Sequence, residues 1–319
     1  MPALVISLDF EMFWGVNSSR TVENYGANIE GVWQSVPGML KLFKQYNIHA
    51  TWATVGMLMC KDFKQWSDFR PVAMPTYTGE IHSAYSVSTL AREFPKLFFA
   101  PGLVAKILAT EGQELASHTY SHFYCGETGT TMEQFADDMD CVKSIFSRYG
   151  VKPTSFVFPR NQIRGEYLKA LLDAEFTAYR GNQDHPIYRD GHLVPNSYGN
   201  TARRIVKFAD SYLPLTGNHI SAMPENKNER QLVNIPASKF LRSSSKYPLL
   251  DRLQINRVKS GMLGAAKTNG VFHLWWHPHN FGQHTEANLN NLEELLKYYQ
   301  TLNQKYGLRS MSMKDLGGS

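Results

Sequence analysis

At 319 residues the chain is long enough to bury a large core, either as one barrel-sized domain or as two smaller ones. Its apolar content of 43% is ordinary for a globular protein, and its 33 basic residues are scattered rather than gathered into a stripe, so the formal charge of +5 excludes an evident nucleic-acid binder. That charge remains compatible with an anionic substrate such as a sugar phosphate or nucleotide sugar. Three cysteines, Cys60, Cys125 and Cys141, show no CxxC spacing and point away from a disulfide framework. The apolar run Ala3–Leu8 is too short for a signal peptide, and no stretch approaches the length of a membrane span. A cytoplasmic location is expected.

Short apolar runs then alternate with amphipathic ones. Ala3–Leu8 reads as a buried strand. Ser35–Tyr46 places Val36, Met39, Leu40 and Phe43 at helical spacing. His49–Val55 is a second strand. Gly102–Thr110 is helical and Glu114–Ser117 strand-like. Met132–Tyr149 carries Phe135, Met139, Val142 and Ile145 on one face and stops at Gly150, a suitable C-cap. Strands follow at Thr154–Phe158, Phe176–Tyr179, Leu232–Pro236, Val271–Trp276 and near Leu308–Met311. Helices are expected at Glu166–Asp173, near Leu250–Ala266 and across Ala287–Tyr306. Seven or eight strand–helix units without a linker predict an α/β architecture, a parallel sheet closed or nearly closed into a single barrel domain over residues 1–319. About Met57–Phe99 and about Gly181–Arg230 are too long for simple connections and read as insertions that shape a site or decorate the surface.

Four groups of chemically capable residues fall at strand ends. Asp9 and Glu11 share one face of the first strand by two-residue alternation, where two buried acids call for a partner or a cation. His118 and His122 are spaced to meet one metal in a helix or tight turn, a spacing also common by chance. Arg160 follows Thr154–Phe158, placed to hold a carboxylate ionised or simply solvated. His273, Trp275 and His277 share a face of Val271–Trp276, and His277 is a candidate general acid or a satisfied core histidine. One carboxylate with two histidines is an open zinc-type ligand set, and barrel enzymes assemble their sites from strand C-termini.

With these residues in place the chain resembles the polysaccharide deacetylase family, carbohydrate esterase family 4 and its relatives among the nodulation chitooligosaccharide deacetylases. Ser7-Leu8-Asp9-Phe10-Glu11 is similar to the first family motif in a D-x-E form, and His49-Ala50-Thr51-Trp52-Ala53-Thr54-Val55-Gly56 to the second strand. The segment Glu111–His122 resembles the histidine motif, and Trp275-Trp276-His277-Pro278-His279 the last one. The resemblance implies a distorted (β/α)7 barrel. It further implies Asp9 as general base, Glu11, His118 and His122 as ligands of one divalent ion (zinc as a rule), His277 as general acid and Arg160 as tether of the base. Glu11 stands where the family more often has Asp, and Phe158-Pro159-Arg160-Asn161-Gln162 departs from the family's third motif. Backbone N–H groups near Asn161–Gln162 are then the expected oxyanion donors, and Asp184 or Asp210 the expected support for His277. Trp14, Trp275 and Trp276 are candidate sugar platforms, core packing being the commoner fate of tryptophan. The implied activity is removal of an N-acyl group from an amino sugar; with no export signal evident, the expected substrate is an N-acetylated or N-formylated sugar carried on a nucleotide or lipid, in surface-glycan assembly such as O-antigen or capsule. An amidase acting on a small non-sugar amide and a non-catalytic glycan-binding barrel are the alternatives.

Overall fold

A computed structural model describes residues 1–79, 82–188, 198–225 and 231–318. Parts of both expected insertions, residues 80–81, 189–197 and 226–230, therefore lie outside the described residues. Alternation along the first strand, Ala3–Phe10 (β1), organises the whole molecule. Leu4, Ile6, Leu8 and Phe10 join the larger apolar cluster beneath the surrounding helices. Ala3 and Val5 join a separate small cluster with Ala53, Val157, Ala178, Ile235 and Val271. Ser7 and Asp9 continue that second column, so one face of β1 turns from small apolar to polar toward its C-terminal end. The C-terminal helix Met313–Gly317 adds Met313 and Leu316 to the small cluster and plugs the bottom of the sheet.

Parallel pairing runs outward from β1. On one side follow Ala50–Thr54 (β2), Gln113–Ser117 (β3), Ser155–Phe156 (β4), Ala178–Tyr179 (β5) and Val233–Asn234 (β6); on the other lie Val271–Trp276 (β8) and then Lys239–Phe240 (β7). Arg309–Met311 (β9) pairs with β1 at Ala3–Val5, below the point where β2 begins. The strands β6 and β7 belong to one extended segment that pairs on both edges. Val233, Ile235 and Ala237 donate backbone hydrogen bonds to Thr177, Tyr179 and Gly181, whereas Ser238 and Leu241 donate to His273 and Trp275. The sheet thus curls round and meets itself along residues 233–241, giving the distorted parallel (β/α) barrel that the alternation predicts.

Helices cover the outside, and their ends follow local rules. Val32–Tyr46 buries Val36, Met39, Leu40 and Phe43 and stops at Asn47, which takes the left-handed conformation (φ 51°). Met132–Ser147 begins with a capping box between Thr131 and Gln134 and buries Phe135, Met139, Val142 and Ile145. Sequence reading placed both within a few residues. It missed Val22–Glu30, the short helices Phe63–Asp68, Ser88–Glu93 and Pro95–Phe98, and Tyr198–Asp210, the last four of which lie in the two long excursions. No helix among the described residues is long and apolar enough to cross a membrane.

Candidate active site

The inward residues of β1 end in Asp9, which is 3% exposed. A lone carboxylate so buried is costly, and a guanidinium answers it. Arg180, just past β5, donates to both Asp9 oxygens, Nη1 to Oδ1 at 2.6 Å and Nη2 to Oδ2 at 2.8 Å. The same guanidinium donates to Ser7 Oγ at 3.0 Å and Asn161 Oδ1 at 3.0 Å. Behind it, His273 Nδ1 lies 3.0 Å from the Ile235 carbonyl, which can only accept. The His273 proton is thereby fixed on Nδ1, and Nε2 accepts from Ser7 Oγ at 2.8 Å. Ser7, its own proton committed to His273, presents lone pairs to Arg180. Burial pushes the His273 imidazole down to about 3, so the ring is neutral and the relay keeps one direction. Burial also works against the Asp9 anion, but the charge of Arg180 and its hydrogen bonds win and hold the carboxyl below its ordinary range. The tether expected at Arg160 is therefore supplied by Arg180. Arg160 sits in the left-handed region (φ 54°), lies 4.1 Å over the Tyr124 ring, and pairs with Glu127 at 3.4 Å and with Ser18.

Two residues on, the chain leaves β1 and Glu11 enters the barrel mouth. Its Oε2 lies 3.1 Å from His122 Nε2 and 3.5 Å from His118 Nε2. All three side chains are at most 4% exposed. The histidine segment is a tight irregular turn rather than a helix, with Thr119 at φ 62° and His122 at φ 55°. One buried carboxylate shapes it. Asp138, from Met132–Ser147, accepts from the backbone N–H of Tyr120 at 2.6 Å and of Ser121 at 3.0 Å, and from the Ser121 hydroxyl. Burial nevertheless raises Asp138 to about 6. Gly15 completes the cradle: a Cβ there would collide with the Glu11 carboxyl group.

The donor set fits a divalent ion. His118 Nδ1 lies 2.8 Å from the Val157 carbonyl, which places its proton there and turns the Nε2 lone pair toward Glu11. An acceptor then faces an acceptor, an arrangement that a cation between them resolves. Burial lowers His122 to about 4, keeping it neutral as a ligand must be. One carboxylate and two imidazoles leave room for water and substrate, as catalytic sites require. The second oxygen of Glu11 faces His277 Nε2 at 3.6 Å and His279 Nδ1 at 4.0 Å. Burial would raise Glu11, but its histidine neighbours, the charge of His277 first among them, hold it well below the ordinary range.

His277 follows β8 and also lies 3.8 Å from Asp9 Oδ2. Its side chain is 23% exposed against 4% for each carboxylate, which sets it at the mouth of the site. Among the described residues the carboxylates within 4 Å of this ring are Asp9 and Glu11; Asp210 pairs instead with Lys239. The three tryptophans separate. Trp14 is fully buried, stacked on Trp66 and bonded through Nε1 to the Phe98 carbonyl at 2.9 Å, and Trp276 is buried against Phe281. Neither is open to a sugar. Trp275 is partly exposed, lies 4.2 Å beneath the Arg180 guanidinium and borders His277. The N–H groups of Asn161 and Gln162 donate to the Phe158 and Pro159 carbonyls, so they are not the free oxyanion donors expected there.

A family model described as polysaccharide deacetylase matches residues 30–179, which span the histidine turn and β2 to β5. This segment of the chain is similar to the polysaccharide deacetylase family. Solved structures with the same fold include a protein described as a polysaccharide deacetylase from Mycobacterium smegmatis, 13% identical, with a TM-score of 0.59 over 99% of this chain and 88% of that one. Another, described in the same way, comes from Pseudomonas aeruginosa PAO1, at 13% identity and a TM-score of 0.50 over 94% and 85% of the two chains. The Puue allantoinase is 12% identical with a TM-score of 0.52 over 94% and 84%. No curated protein matches the chain. The family match stops short of both β1 and β8, so Asp9, Glu11, Arg180 and His277 join the site through the fold rather than through that match.

Proposed function

We propose that this chain is a metal-dependent hydrolase of the polysaccharide deacetylase family that removes an acetyl or formyl group from the nitrogen of an amino sugar. The observation that carries the reading is an unbroken series of contacts under 4 Å that joins an arginine-held carboxylate, a more exposed histidine and a carboxylate–histidine–histidine ligand set. Glu11, His118 and His122 would hold the ion, zinc by preference. A bound divalent ion lowers the pKa of water and polarises an acyl carbonyl. Asp9, kept ionised by Arg180, takes the proton of the attacking water. The bidentate guanidinium fixes the direction of its lone pairs, so the base needs no reorientation. His277, on the far side of Glu11 from the histidine pair and nearer solvent, gives a proton to the departing amine. Arg180 and the Ser7–His273 relay hold the base in place without touching substrate.

A cytoplasmic precursor of surface polysaccharide, such as O-antigen or capsule, is the substrate we favour over finished polymer. All three cysteines are unpaired, in keeping with a reducing compartment. The deciding experiment measures divalent metal on protein purified without chelator, alongside acetate or formate release from N-acylated amino sugars. The reading expects about one ion per chain, as an open three-ligand site holds, loss of that ion in His118→Ala, and an Asp9→Asn protein that keeps the ion and loses turnover. A chain that takes up no ion even from added zinc would overturn it in favour of a binding barrel.

A further inference from the structure

Next to the catalytic carboxylates lies a second concavity that the hydrolytic reading leaves unused. A cavity of about 270 Å³ opens beside Asn161 and Trp275, lined among the described residues by four basic side chains, Arg160, Lys207, Lys239 and Arg242, and one carboxylate, Asp210. It adjoins the reaction centre directly. Asn161 accepts from the guanidinium that holds Asp9, and Trp275 separates that guanidinium from Phe240 on the cavity wall. A substrate whose amide lies at Asp9 would extend into it.

Among these cations one stands apart. Asp210 is fully buried and already serves Lys239, with Arg257 at 3.9 Å behind it. Arg160 has Glu127. Arg242 is different. Its Nε donates to Ser211 Oγ at 2.9 Å and its plane lies 4.8 Å from the Phe208 ring, yet among the described residues no carboxylate comes within 4 Å and neither terminal nitrogen makes a hydrogen bond. Burial lowers its pKa, so the protein environment opposes the charge it carries. A half-buried guanidinium with its forked donors unused is costly alone and suited to a planar or tetrahedral oxyanion. A single carboxylate offers one planar group, whereas a phosphodiester or diphosphate brings the several acceptors that the fork of Arg242 and its basic neighbours can engage.

We propose that this cavity binds the phosphoryl group through which the amino sugar is joined to its carrier, with Arg242 as the principal contact. The inference rests on the deacetylase reading for what occupies the neighbouring site, and it narrows the substrate to phosphate-linked amino sugars, whether the phosphate leads to a nucleoside or to a lipid.

The test is equilibrium binding to the Asp9→Asn protein, which removes turnover from the measurement. The probes are UDP-N-acetylglucosamine, a short-chain prenyl diphosphate N-acetylglucosamine, free N-acetylglucosamine, N-acetylated uronic acid and inorganic pyrophosphate. At least one diphosphate-linked sugar should bind about tenfold or more tightly than the free sugar, weaken as salt rises and be displaced by pyrophosphate. Preference between the nucleotide and the prenyl compound identifies the carrier. Arg242→Gln should weaken the diphosphate-linked sugar by about tenfold, and Arg242→Lys should recover part of the loss. Equal binding of the free sugar, stronger binding of the uronic acid, or an unaffected Arg242→Gln protein would overturn the proposal; the pyrophosphate competition decides it on unaltered Arg242. The two readings fail separately. Acyl release by the wild-type chain from neutral sugars with no phosphate preference removes this inference alone, while phosphate-dependent binding without acyl release from any sugar removes the hydrolase and keeps the cavity.

Discussion

Replacing Arg180 by Gln asks the most of the site. The pair it breaks is buried on both sides, with side-chain exposures of 0% for Arg180 and 4% for Asp9, and it is joined by two bonds of 2.6 and 2.8 Å. Removing one member of such a pair leaves a buried anion and costs about 3–5 kcal/mol, a large share of the roughly 5–15 kcal/mol that holds a domain together. Asp9 in the native protein is held below its ordinary pKa, so it contributes stability at neutral pH that is lost as pH falls through the folded value. Without Arg180 burial dominates and the sign reverses: the carboxyl protonates more readily folded than unfolded, and the variant loses stability as pH rises. The assays are urea unfolding across pH and the pH dependence of kcat/KM. We expect the acid limb to move up by more than about one pH unit, one unit being worth about 1.4 kcal/mol. Arg160→Gln is the matched control. Its pair with Glu127 is 3.4 Å long and about a quarter exposed on each side, so less than about 1 kcal/mol should be lost and the acid limb should stay. An unmoved limb in Arg180→Gln, or the same displacement in Arg160→Gln, would refute the assignment of Arg180 as the tether.

Gly15→Ala should displace the Glu11 carboxyl group and lower zinc affinity by about 10- to 100-fold, as lost support for a ligand does; calorimetric titration with zinc reads it directly. Asp138→Ala leaves the Tyr120 and Ser121 N–H groups unpaired in a buried turn, at about 1–3 kcal/mol each, so both the melting temperature and metal retention should fall. An Asp138→Ala protein with unchanged metal content would show that the turn holds itself. His273, at about 3 when folded, takes up a proton on unfolding below pH about 6.5, so stability should drop as pH falls from 6.5 toward 3, by at most about 1.4 kcal/mol per pH unit from this ring. Unfolding of wild type and His273→Gln at pH 7 and pH 5 should give a shallower fall in the variant, and parallel curves would mean that the ring is protonated in the native state.

Much of this was written in local pattern. The two-residue period of β1 sets Ser7 and Asp9 on the barrel side and Leu8 and Phe10 under the helices, and the same period in β8 separates Trp275 from Trp276. That alternation already spoke against Trp276 as a sugar platform. Arg180 could not be separated from Arg160 in this way. Each lies just past a short expected strand, Arg160 after Thr154–Phe158 and Arg180 after Phe176–Tyr179, and the difference lies in the local turn: Arg160 takes a positive φ and bonds to Ser18 and Glu127. Asp138 reads as one more acid on an amphipathic helix until the histidine turn is seen folded over it. The segment that closes the barrel escaped division into its two pairings because its edges change partner at Ser238 without any change in composition.

That seam has an evolutionary consequence. Asp9, the guanidinium that holds it and the other partners of that guanidinium come from β1 and from the turns after β4 and β5, and His277 follows β8, all outside the stretch between the chain's departure at Gly181 and its return at Val233. What lies between can lengthen, shrink or exchange its charges while the reacting groups stay where they are. Lys207 and Asp210 belong to this excursion, and Lys239 and Arg242 to the strand that receives it. Chemistry and recognition are thus encoded in separable stretches of one chain, and relatives with the same reaction could acquire new substrates by rewriting a single loop.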